Sequence, residues 1–91
     1  MRFDLGETDD VAAIVRSAAA ESIVLVFAAD WPPLVLARLR ASVAPLAIER
    51  APDTRVNAVI LGEGAGAAAV DAAIAFLESA RSTTGQVLEI S

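Results

Sequence analysis

Few side chains in this 91-residue chain can carry covalent or proton-transfer chemistry. There is no His, Cys, Tyr or Lys; the seven basic residues are all Arg, set against twelve Asp and Glu. General acid–base work near neutral pH falls to His, Lys, Tyr, Cys or a perturbed carboxylate, so only the carboxylates remain. One loop invites a ligand reading: Gly62-Glu63-Gly64-Ala65-Gly66, between an apolar run and an Ala-rich helical pattern. Glycines at such a junction let backbone N–H groups approach a phosphate, but a dinucleotide fingerprint is Gly-x-Gly-x-x-Gly with an acid about 20 positions on. Here the spacing differs, and Glu63 would repel a phosphate. A flexible strand-to-helix turn is the simpler reading, and contact with a ligand the alternative.

Five acids, Glu7, Asp9, Asp10, Asp30 and Glu63, each follow an expected strand. In a parallel sheet they gather at the carboxyl edge, where open α/β sheets bind ligands. Arg2, Arg50, Arg55 and Arg81 fall at the opposite edge, so an anionic cofactor meets the wrong sign of field. A divalent-cation site among the acids requires convergent oxygens; helix capping and solubility are the plainer role. Trp31, the only Trp, closes an apolar run and either fills a pocket or contacts a ligand or partner. With Asp30, Gly62, Glu63 and Gly64 it makes up the candidate pocket. Asn57, inside an apolar strand, reads as a satisfied structural amide rather than a catalytic one.

The elements that must hold these residues follow from periodicity. Arg55-Val56-Asn57-Ala58-Val59-Ile60-Leu61 is a near-continuous apolar run, bounded by Pro52-Asp53 and Gly62-Glu63-Gly64. It reads as a strand buried on both faces. Ser22–Ala29 reads the same way and is central. Met1–Leu5 alternates apolar and polar and is expected at an edge. Thr8 or Asp9 is the expected N-cap of a helix over about 9–20, with Val11, Ile14, Val15 and Ala18 inward. A second helix spans about 33–50, opened by Pro32-Pro33, with Leu34, Leu36, Leu39, Val43, Leu46 and Ile48 as apolar candidates. Pro45 removes one of its hydrogen bonds, so a kink or break is expected there. A third helix covers about 66–80 with Val70, Ile74, Phe76 and Leu77. Gln86–Ile90 is the last strand. Helical patterns alternating with strands are the grammar of βαβ units on a parallel sheet.

Composition bounds the function. A chain of this length forms one domain, burying roughly 60–65% of its unfolded surface. It is 56% hydrophobic with one Trp and three Phe, which suits a packed α/β domain or one that leaves an apolar patch for a partner. A net charge of −5 argues against nucleic acid and anionic membrane partners. No apolar run reaches the roughly 18 residues of a membrane span, and the first residues lack the apolar stretch of a signal peptide. The lack of Cys removes thiolate metal sites and fits a reducing compartment; a cytoplasmic location is expected.

Several segments share an order with a known family. Ser-Ile-Val-Leu-Val at 22–26, Arg-Val-Asn-Ala-Val at 55–59, Ala-Ile-Ala-Phe-Leu-Glu-Ser at 73–79 and Thr84-Gly85-Gln86-Val87-Leu88 are similar to the C-terminal half of a short-chain dehydrogenase/reductase. Leu39 to Pro52 is similar to the family helix that carries the catalytic Tyr and Lys. The resemblance covers Ser22 to the C-terminus; the first 21 residues match nothing in it. It implies an NAD(P)-dependent oxidoreductase fold, yet its functional residues do not carry over. The Tyr would fall at Trp31 or Pro32, the Lys at Val35 or Leu36, and the Ser near Phe27 or Ala28. The Gly-rich cofactor turn and the substrate lid are missing. The resemblance also implies a connection of unusual hand into the last strand, which places helix 66–80 on the face opposite the other two.

These readings predict a Rossmann-like α/β domain over residues 1–91: a four-stranded parallel sheet in sequential order with three helices. The expected function is non-catalytic, through protein–protein association, with no cofactor and no metal. The competing expectation is an oxidoreductase-family protein, 3-oxoacyl-ACP-reductase-like, active only with a partner chain supplying the NAD(P)-binding half. The partner is either a second copy or a larger protein. A dimer is expected through Ala72, Val87, Leu88 and Glu89. The last strand is an edge guarded only by Glu89, beside a helix made smooth by Ala67, Ala68, Ala69, Ala72, Ala73 and Ala75.

Overall fold

The computed structural model describes residues 1–91. The chain runs β1 (Arg2–Asp4), α1 (Val11–Ser17), β2 (Ser22–Ala28), α2 (Pro33–Arg50), β3 (Arg55–Leu61), α3 (Ala67–Ser79) and β4 (Val87–Ile90). The four strands form one sheet in the order β1-β2-β3-β4. All three pairings are parallel, with Phe3 against Leu25, Leu25 against Ala58 and Ala58 against Val87. This is the sequential Rossmann-like arrangement the sequence predicts. The Leu5 N–H donates to the Val26 carbonyl and the Val24 N–H to that of Met1, so the outer ladder reaches one residue past each end of β1.

Alternation within the two central strands explains why both are apolar throughout. Ile23, Leu25 and Phe27 of β2 and Val56, Ala58 and Ile60 of β3 face α1 and α2, joining Val11, Val15, Val43, Leu46 and Ala47 in the larger core. Val24, Val26 and Val59 face the other way and meet Val70, Ile74 and Leu77 of α3. Burying three such side chains contributes about 1.5–3 kcal/mol each, an upper bound. A strand with helices on both sides has no solvated face to give to polar residues. α3 therefore lies opposite α1 and α2, and its crossover is opposite in hand to the two before it, against the general preference for one hand.

Several expectations are corrected. The N-cap of α1 is Asp10, whose Oδ1 accepts from the Ala13 N–H at 3.1 Å; neither Thr8 nor Asp9 caps it. α1 stops at Ser17 because a distant side chain takes over its carbonyls. The Arg50 guanidinium donates to Val15 O (2.8 Å), Arg16 O (2.9 Å) and Ala18 O (3.0 Å). Pro45 does not break α2, which runs unbroken to Arg50. Leu34, Ile48 and Phe76 are not core residues; they are 63%, 76% and 57% exposed. No helix is long and apolar enough to cross a membrane.

Candidate functional site

An open cleft of about 710 Å³ lies at the carboxyl edge, where β2 and β3 end side by side. Its floor is Ala28, Ala29, Leu61, Gly62 and Ala65, and its rim is Asp30 and Glu63. Leu61 and Ala65 also pack against α3, so the cleft opens on that helix's side of the sheet. It unites three of the five predicted pocket residues: Asp30, Gly62 and Glu63. Gly64 and Trp31 are elsewhere.

Trp31 lies toward the opposite face, half-buried against the α1–α2 core. Its ring stacks on Phe27 with centroids 6.0 Å apart and planes 23° from parallel. Adjacent strand residues point to opposite faces, so the parity that turns Ala28 to the cleft turns Phe27, with Trp31 above it, to the core. Of the loop glycines, Gly62 is explained by the chain itself. A Cβ on Gly62 would come 2.8 Å from the Ile90 carbonyl oxygen and 3.2 Å from Ser91 Cα, and the Gly62 N–H donates to that carbonyl at 2.6 Å. A Cβ on Gly64 would meet Ser91 at 3.4 Å, an ordinary contact, and one on Gly66 would meet open space. Gly62 is a glycine so that the end of β4 can close over it.

Two of the five acids of this edge have local work. Asp9 Oδ2 accepts from the Gly6 N–H at 2.8 Å, and Asp10 caps α1. No three acidic side chains converge as a metal site would require. Asn57 is fully buried and satisfied on both sides: its Nδ2 donates to Thr83 O and its Oδ1 accepts from the Gln86 N–H, each at 3.0 Å. It clasps the loop that delivers β4. Sequence reasoning missed Arg50, whose Nη2 also donates to Thr54 Oγ1 at 2.9 Å, and the pair Arg40–Glu89 joining α2 to β4. Charge alternation offered no signal for either, since the partners are 32 or more residues apart except Thr54. Arg16 and Glu49 pair at 2.8 Å between α1 and α2. Hydrogen bonding to Arg16 lowers the Glu49 carboxyl below its ordinary range, and the same bond raises Arg16.

The fold, the hand of its last crossover and the fit of four segments all lead toward one family. A model of the short chain dehydrogenase-like protein family matches residues 3–90. The chain belongs to that family. The match extends over the N-terminal segment, which the resembling segments leave out. A search of curated proteins found no match, and neither did a search of solved structures.

Short-chain dehydrogenases use a nicotinamide dinucleotide, and the residues at this carboxyl edge do not fit one. Gly62 is occupied by the chain's own backbone. The cleft is rimmed by two carboxylates, and no Arg lines it. Of the arginines of the amino edge, Arg50 is bonded to carbonyls at the end of α1 and Arg55 to Glu78 O. At the positions where the resemblance would put the family's Ser, Tyr and Lys stand Phe27 or Ala28, Trp31 or Pro32, and Val35 or Leu36. The side chains at these positions carry no hydroxyl, phenol or amine.

Proposed function

We propose that this short chain dehydrogenase-like chain is non-catalytic and acts in the cytoplasm through protein–protein association, first of all as a dimer joined along β4 and α3. The observation that carries this reading is the open apolar margin at that end of the sheet. Phe76 stands more than half exposed, with Ala72 and Ala69 one and two turns before it. Asp71 of α3 reaches Arg2 of β1, so the Phe76 flank is turned toward β4, where Leu88 and Ile90 remain half-buried.

The edge of β4 supports the same reading. Carbonyls of Gln86 and Ile90 accept from β3. Backbone groups alternate sides along a strand, so those of Val87 and Glu89 point outward, unpaired. Glu89, the one charge on the strand, is drawn to Arg40 and guards the edge poorly. A dimer of standard size would bury about 800 Å² on each chain. Light scattering at micromolar concentration tests this. The expected result is more than one chain mass for the native protein and a reduced mass for the Ala72→Glu, Val87→Glu double variant. A monomer at all concentrations sinks the association, and micromolar binding of NADH or NADPH by the purified chain sinks the non-catalytic reading.

A further inference from the structure

We draw no further inference here: the strongest candidate, the open cleft at the carboxyl edge between the ends of β2 and β3, belongs to the site already described, and its two exposed rim carboxylates, Asp30 and Glu63, have no buried unpartnered group beside them that would name a ligand.

Discussion

Removing the Asn57 amide tests whether β4 is held in place by one buried side chain. In Asn57→Ala the Thr83 carbonyl and the Gln86 N–H lose their 3.0 Å partners. Each backbone group left dry and unpaired costs about 1–3 kcal/mol. Gln86 is exposed and Thr83 half-buried, so water recovers part of that, and about 2–4 kcal/mol is the expected loss. A 91-residue domain has roughly 5–13 kcal/mol of stability in total, so the change is a large fraction of it. Asn57→Asp separates hydrogen bonding from shape. The aspartate keeps an acceptor for Gln86 but turns a carboxylate oxygen toward the Thr83 carbonyl. Burial and repulsion raise its folded pKa above the unfolded value of about 3.9. Such a group adds no charge penalty well below that value and a growing one above it. Asn57→Asp should therefore fall further behind the native chain as pH rises from about 4. Urea unfolding followed by Trp31 fluorescence, with circular dichroism as the second probe, measures both. An Asn57→Ala chain within about 0.5 kcal/mol of native, the scatter of ordinary surface substitutions, would refute the argument.

Arg50→Lys keeps the charge but cannot span three α1 carbonyls and Thr54 at once; a loss of about 1–3 kcal/mol in urea midpoint analysis is expected. Glu49 has its folded pKa lowered by Arg16, so its contribution is present above the unfolded pKa and disappears as pH falls through the folded one. Thermal melts on the acid side should show a shallower pH dependence for Glu49→Gln than for the native chain. Gly62→Ala places a methyl 2.8 Å from a backbone oxygen of Ile90, so the end of β4 must move. Hydrogen exchange should speed at Gly62, whose N–H is bonded to Ile90 O, with the α1–α2 half unchanged.

What the sequence disclosed and what it hid follow a physical division. β2 and β3 were legible because a strand covered on both faces must be apolar at every position, and that pattern is local. The end of α1 was not, because Arg50 supplies its carbonyl partners from 32 residues away. Apolar character alone does not place Leu34, Ile48 and Phe76 outside the core, because it does not say which face of a helix turns inward. The carboxyl-edge cleft was half legible. Asp30, Gly62 and Glu63 follow strand ends and had to meet there. Trp31 was separated from them by a single step of strand parity, and the need for Gly62 became visible only once Ile90 and Ser91 lay against it.

The sequential strand order also sets how the molecule assembles in time. Arg2 pairs with Val24, Ser22 with Arg55 and Ala58 with Val87, separations of 22, 33 and 29 residues, so each pairing closes a short loop, and loop-closure entropy grows only slowly with length. No strand has to wait for a distant segment to be inserted between two neighbours. β2 and β3 with α1 and α2 already share the larger core, whereas α3 and β4 add the smaller one on the far side. The natural seam for partial opening runs between these two units. When α3 and β4 lift away, Val24, Val26 and Val59 lose their cover while Ile23, Leu25 and Phe27 keep theirs. The association surface proposed on β4 and α3 would be lost in that event.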